Sequence, residues 1–259
     1  MSSHEHLGPN EQISKQFDEI AVFYDTLMAG VPYTTWVEYI QRIVKKFCRR
    51  PKWVLDLCCG TGSVSILLAK KGYHVVGVDI SPGMIAIARE KARMEHVSLD
   101  FYVQDVCRLS LERQFDLVIS LFDSLNYILN PDDLLEAFHR TAEHMAKDSL
   151  LIFDLNTQLA LEAGFFDQDN IGSGSPVEYF WRSSYDESSR ICTIRMSFDY
   201  KTAEGPRHIE LNHYQRAYTQ NEIVSMLAQS GLTVLATYHG YTFREATGAS
   251  DRVFYVAAK

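Results

Sequence analysis

Apolar positions recur at helical spacing from Glu11 to Met28, where Ile13, Phe17, Ile20, Ala21 and Tyr24 share one face. Gly30-Val31-Pro32 interrupts the pattern. Trp36, Tyr39, Ile40, Ile43, Val44 and Phe47 then mark a second amphipathic helix, with Pro51 as its stop. From Trp53 the period changes. Short apolar runs predict strands over 53–57, 74–79, 98–104, 115–121 and 149–155, with helices over 62–71, 82–95 and 131–146. Ser81-Pro82 and Pro131-Asp132-Asp133 are helix starts, each with a proline in the first turn. Alternation of this kind implies a parallel sheet covered on both faces.

After Asn156 the texture shifts. Residues 157–174 read as loop, and alternating runs follow over 177–185, 190–200 and 207–218, an inserted antiparallel β meander rich in Tyr, Phe and Trp. A helix over 220–229, stopped by Gly231, leads to strands over 232–239 and 252–258, which complete a seven-stranded mixed sheet. The chain thus divides into a flexible N-terminus (1–10), a helical segment (11–50), an α/β unit (51–156 and 219–259) and an insertion (157–218).

Composition narrows the function classes. With 259 residues, 46% hydrophobic and 22% charged, the chain suits one globular α/β domain with an elaboration. Its net charge of −8 argues against a broad nucleic-acid footprint. Lys45, Lys46, Arg49, Arg50 and Lys52 read as a solvated helix end. Five cysteines, odd in number and without paired metal spacing, suggest reduced thiols and a cytoplasmic location. Met1 to Asn10 is polar with no apolar h-region, and no run reaches the ~20 apolar residues of a membrane span. His4 and His6 fall on the N-terminal tail, and His139 and His144 are spaced one residue too far for a metal pair, so no metal is expected.

The chemistry concentrates in Val54-Leu55-Asp56-Leu57-Cys58-Cys59-Gly60-Thr61-Gly62, followed by His74-Val75-Val76-Gly77-Val78-Asp79. Strand, glycine turn, helix, strand and acidic tip form a Rossmann-like nucleoside-binding crossover. A dinucleotide site wants a third glycine where Ser65 stands, and a carboxylate at Asp56 would repel a pyrophosphate. The same carboxylate suits a ligand carrying an ammonium and a sulfonium.

Asp56-x-x-Cys59-Gly60-Thr61-Gly62 resembles motif I of the class I S-adenosylmethionine (SAM) methyltransferases. Tyr24-Asp25 through Tyr33 and Trp36, with Phe122-Asp123-Ser124-Leu125-Asn126-Tyr127 and Asn212 through Tyr218, resembles the bacterial YqeM-like group, near the glycine and amino-sugar N-methyltransferases. The resemblance spans nearly the whole chain and names no substrate. It implies SAM as cofactor, S-adenosyl-L-homocysteine as product, a helical lid over 11–50 and a cap formed by the insertion. By it, Asp56 pairs the SAM ammonium, Cys58, Gly60 and Gly62 form the turn, and Asp79 holds the ribose. Gln104, Asp105 and Val106 lie at the adenine. Ile80 and Met84 either line the adenine face or simply pack. Leu121 and Ser124 lie beside cofactor, and Tyr24 and Tyr33 reach it from the lid.

Trp36, Asp123, Tyr127, Trp181, His213 and Arg216 are the substrate-pocket candidates, with Tyr33, Asp123 and His213 as candidates for catalysis. Asp123 is either a base or a helix cap. Strand alternation puts His213 and Gln215 on one face of the last run and Tyr214, Arg216 and Tyr218 on the other; the latter set is the expected cofactor side. With no metal cluster, a small-molecule acceptor methylated on nitrogen is favoured. RNA or protein methylation, a non-catalytic SAM-binding regulator and an NAD-dependent enzyme are the alternatives. No nucleic-acid or membrane partner is expected, and the aromatic meander could form a homodimer surface.

Overall fold

The computed structural model describes residues 9–259. Residues 1–8, with His4 and His6, lie outside it. Two helices come first, α1 (Pro9–Leu27) and α2 (Tyr33–Lys46). The alternating series is β1 (Trp53–Leu57), α3 (Ser63–Lys70), β2 (His74–Asp79), α4 (Pro82–Met94), β3 (Asp100–Val103), β4 (Phe115–Ser120), α5 (Pro131–Glu143) and β5 (Met145–Asn156). Then come α6 (Gln158–Glu162), β6 (Gln168–Asp169), β7 (Val177–Asp186), β8 (Ile191–Thr202), β9 (Gly205–Arg216), α7 (Gln220–Gln229), β10 (Thr233–His239) and β11 (Arg252–Ala258).

Seven strands form a mixed sheet in the order β10-β11-β5-β4-β1-β2-β3. β1 is parallel to both neighbours, with Val54 opposite Val75 of β2 and Leu117 of β4, while β11 runs antiparallel to β5 and β10. The chain winds outward from β1 to β3 and then returns to β4 on the other side. That reversal opens a crevice at the carboxyl ends of β1 and β4.

Alternate residues of the central strands feed opposite layers. Leu55, Leu57, Val76 and Val78 pack with Leu134 and Phe138 of α5, whereas Val54, Val75, Leu117 and Ile119 pack with Val37, Ile40 and Ile43 of α2. Coverage on both faces is why these strands read as continuous apolar runs.

The insertion forms a second, antiparallel sheet in the order β6-β7-β8-β9. Its apolar face presents Trp181, Ile194, Met196, Phe198 and Leu211 to Ile20, Ala21 and Phe23 of α1. The sequence pattern predicts only three strands here, and loop over 157–174. The fourth strand, β6, and the short helix α6 both lie in that stretch. Two residues are too few to show a period.

Two helix ends also differ from the pattern. α5 stops at Glu143 rather than running to 146, because His144 caps it. Its Nδ1 lies 2.7 Å from the Arg140 carbonyl and its Nε2 accepts the Leu111 N–H at 2.8 Å. β5 then begins at once, with Met145. α2 ends at Lys46 through a Phe47 cap and a left-handed Cys48 (φ 55°), so Pro51 comes after the stop rather than causing it.

Candidate active site

A cavity of about 380 Å³ fills the crevice, a volume typical of small-ligand sites. Its floor is the turn after β1. Gly60 has φ 53°, and a Cβ there would meet nothing within 4 Å, so the backbone lies open to the cavity. Gly62 behaves differently. It does not line the cavity, and its missing Cβ makes room for Phe101 of β3, whose Cζ would be 2.7 Å away. Here the expectation is corrected: Gly62 serves helix–sheet packing, the task of the third glycine in a dinucleotide turn.

Asp79 closes β2 and lines the cavity. Its Oδ2 accepts the Gly60 N–H at 2.8 Å and its Oδ1 the Ser81 N–H at 2.9 Å. These bonds fix the carboxylate and leave each oxygen a lone pair for a ligand hydroxyl. Burial raises its pKa, and the two N–H groups partly offset that rise. Asp56 also lines the cavity, and its Oδ2 accepts the Ser65 hydroxyl at 2.5 Å. Burial pushes this carboxyl up to about 7. Ser65, useful in the sequence only to exclude a dinucleotide, therefore orients an acid.

The ends of β3 and β4 complete the inner half. Gln104, Asp105 and Val106 line it, as do Leu121 and Ser124. Asp105 Oδ1 caps the short turn of 3-10 helix at Val106–Arg108 through the Cys107 N–H, at 2.9 Å. The Gln104 amide closes its loop by two bonds of 2.9 Å to the Ser110 backbone. Met84 lines the cavity and also packs with α1; Ile80 lines it too. Cys58 lines it as a protonated thiol, pushed up by burial.

Asp123 lines the outer half as neither a helix cap nor a free base. Its Oδ1 accepts Arg252 Nη2 at 2.7 Å and its Oδ2 accepts Gln215 Nε2 at 2.6 Å. No side-chain bond caps the following helical turn, Ser124–Tyr127. Arg252 also pairs with Asp154, which is 0% exposed. Sequence reasoning misses Arg252, because its partners lie 98 and 129 residues away and no local motif joins them.

On β9 the buried face carries His213 and Gln215. Arg216 points the other way, does not line the cavity, and donates to the Ser189 carbonyl at 3.1 Å. Tyr214 shares that face, and Tyr218 donates its hydroxyl to the Ile128 carbonyl. The expected cofactor-side set is thus corrected by the two-residue period of the strand. His213 is 1% exposed, with Nδ1 3.2 Å from the Tyr127 hydroxyl and the Phe17 ring edge-on at 5.0 Å. Burial lowers its pKa to about 4, so the imidazole is neutral.

Tyr24, Tyr33, Trp36, Tyr127 and Trp181 also line the cavity. Trp36 stacks on Tyr241 at 5.2 Å as well, and burial pushes the Tyr33 phenol up to about 12. α1 is tied across the cavity by polar bonds that the apolar pattern does not reveal. Asp18 Oδ1 accepts the Ser81 hydroxyl at 2.5 Å and the Gly83 N–H at 2.7 Å. Asp25 accepts the Thr61 hydroxyl at 2.6 Å and pairs with Lys91 at 2.8 Å.

Residues 54–148 match the family model described as a methyltransferase domain. A protein of Geobacillus sp. (strain WCH70), named as a methyltransferase, is 32% identical over 246 residues, 94% of this chain and 99% of its own length. The chain is a class I SAM-dependent methyltransferase. YqeM of Bacillus subtilis (strain 168) is 30% identical to this methyltransferase over 245 residues, 94% of the chain and 97% of its own, which places it in the YqeM-like group. A crystal structure of a SAM-dependent methyltransferase from Clostridium acetobutylicum ATCC 824 superposes on the methyltransferase with a TM-score of 0.82 at 27% identity, covering 94% of this chain and 98% of that one. Among the described residues of the methyltransferase, no helix is long and apolar enough to cross a membrane.

Proposed function

We propose that the enzyme methylates an amine nitrogen of a small molecule, with cofactor and acceptor side by side in the cavity. The inner half fits SAM by its chemistry. Asp56, Asp79 and Asp105 line the cavity, where Arg252 is the one lysine or arginine among the described lining residues and is paired with Asp123 and Asp154, and the Gly60 backbone is open to approach. In this reading Asp79 holds the ribose hydroxyls, Asp56 pairs the ammonium, and Gln104, Asp105 and Val106 meet the adenine. Ile80, Met84 and Leu121 supply apolar contact, and Tyr24 and Tyr33 close over from α1 and α2. SAM supplies an activated methyl carbon: the amine lone pair bonds to it, the carbon–sulfur electrons return to sulfur to leave S-adenosylhomocysteine, and the surplus proton goes to water. The protein's share is to position the acceptor and exclude water, which can be worth ~7–11 kcal/mol.

One observation carries the choice of nitrogen: among the described residues, the three candidates for a base, Asp123, Tyr33 and His213, are each held in a state that does not favour taking a proton from an alcohol. Both Asp123 oxygens are engaged by Arg252 and Gln215. Tyr33 keeps its proton at neutral pH, and His213, with a pKa of about 4, accepts a hydrogen bond without taking a proton. An alcohol would need a stronger base, whereas an amine need only arrive neutral. Free thiols at Cys48, Cys58, Cys59, Cys107 and Cys192 fit a cytoplasmic enzyme.

The test is incubation of ligand-stripped enzyme with methyl-labelled SAM and small amines matched against alcohols and phenols of the same skeleton. Label recovered on the amines supports the reading. Transfer to the hydroxyl compounds alone would overturn it.

A further inference from the structure

The outer half of the cavity is a mostly apolar chamber. Phe17 and Ile20 come from α1, Phe165 and Phe166 from the turn before β6, and Met196 and Phe198 from β8. Two residues that line it each carry a buried polar atom with no hydrogen-bond partner among the described residues: His213 Nε2 and Trp181 Nε1. Both residues line the cavity and both are at least nine-tenths buried, at 1% and 9% exposure. A buried donor or acceptor left unmade is costly, so such atoms point to a ligand that completes them. The indole N–H can only donate. His213 Nδ1 is already engaged with the Tyr127 hydroxyl. In the tautomer with the proton on Nδ1, Nε2 is left as the acceptor.

Charge restricts the ligand further. Carboxylates line the whole cavity at Asp56, Asp79, Asp105, Asp123 and Asp251. Among the described lining residues Arg252 is the one cation, and its guanidinium is already paired with Asp123 and Asp154. A phosphate or carboxylate on the acceptor would be desolvated beside these carboxylates with no free protein cation among the described lining residues, leaving only the SAM sulfonium to offset it. A protonated amine is instead drawn toward the mouth by the acidic field and need shed only its proton on burial.

Building on the methyltransferase reading above, we propose that the acceptor is an apolar-bodied amine bearing no phosphate or carboxylate. Its nitrogen N–H is held by His213 Nε2, and an acceptor atom on its body is held by Trp181 Nε1. This excludes nucleotide-linked amino sugars and free amino acids as substrates. The His213 contact leaves the nitrogen lone pair free for the methyl, since the bond uses the hydrogen. His213 thus selects and aligns the nucleophile rather than deprotonating it.

The test uses the full chain saturated with S-adenosylhomocysteine. Calorimetry and thermal shift are run with phenethylamine, 4-methoxyphenethylamine and cyclohexylamine, each paired with the same skeleton bearing a carboxylate or a phosphate. The amines are expected to bind at least tenfold more tightly than their anionic counterparts. Trp181→Phe, which keeps a ring and loses the N–H, is expected to weaken 4-methoxyphenethylamine about three- to tenfold, the range of one neutral hydrogen bond, with no change in S-adenosylhomocysteine affinity. His213→Phe is expected to weaken all three amines similarly, and His213→Gln to recover part of the loss. Equal or tighter binding of the anionic partners, or no binding by any amine, would overturn the proposal while leaving the cofactor site standing. Failure of S-adenosylhomocysteine itself to bind would remove both.

Discussion

Asp56→Asn should make the ligand-free enzyme more stable at alkaline pH while weakening its hold on SAM. Asp56 is 3% exposed, and burial moves its carboxyl from 3.8 to about 7. Below about pH 4 the side chain is protonated whether the chain is folded or not. As pH rises, the unfolded carboxyl ionises first, near 3.8, while the folded one keeps its proton until about 7. The folded state therefore binds more protons across that window, and stability falls as pH rises through it. A gap of about 3 pH units corresponds to on the order of 4 kcal/mol, complete above the folded value. Asparagine cannot ionise and still accepts the Ser65 hydroxyl through its carbonyl oxygen. Urea unfolding of both proteins without ligand, at several pH values from 4 to 8, reads the difference directly. The stability of the variant relative to wild type should climb over pH 4–7 and level off above. A difference that stays flat with pH would refute the ionisation of Asp56 as a buried cost. The same variant should bind SAM at least roughly tenfold more weakly at pH 8, because a charge-assisted hydrogen bond to the ammonium is gone.

Two further substitutions probe the frame of the cavity. Gly62→Ala places a Cβ 2.7 Å from Phe101 Cζ at a φ of 74°, and should cost roughly 2–4 kcal/mol in urea unfolding; a neutral result would mean that β3 gives way easily. Arg252→Leu strands Asp123 and Asp154 as buried carboxylates without their cation, and should cost about 3–5 kcal/mol at pH 7. The loss should shrink on acidification as Asp154, whose pKa burial raises, takes up a proton, and an unchanged loss at pH 5 would count against its ion pair as the source.

The parts of this molecule legible in its sequence are those with a local cause. The central strands announce themselves because both faces are buried, and α4 because Ser81 and Pro82 start it, with Ser81 accepting the Met84 N–H at 3.0 Å. The cavity's inner wall is legible because a single βαβ unit carries Asp56, Gly60 and Asp79 within one crossover. Long-range pairing is not. Nothing near Arg252 in the chain foretells Asp123 and Asp154, and nothing near Asp18 foretells Ser81 and Gly83. Gly83 offers only a faint sign, since a Cβ there would fall 2.8 Å from Asp18 Oδ1. The face of β9 is likewise decided by what packs on it. His213 and Arg216 are equally plausible in a string of alternating residues, and α1, through Phe17, covers the His213 side.

The most direct measurement is calorimetric titration of S-adenosylhomocysteine into the ligand-stripped enzyme and into Asp79→Asn, with NAD as control. Asp79 faces the cavity with a lone pair left on each oxygen, so the wild type should bind saturably, NAD should not bind, and the variant should lose at least about tenfold in affinity while unfolding cooperatively. Unchanged affinity in a folded Asp79→Asn enzyme would contradict the placement of the cofactor in this cavity.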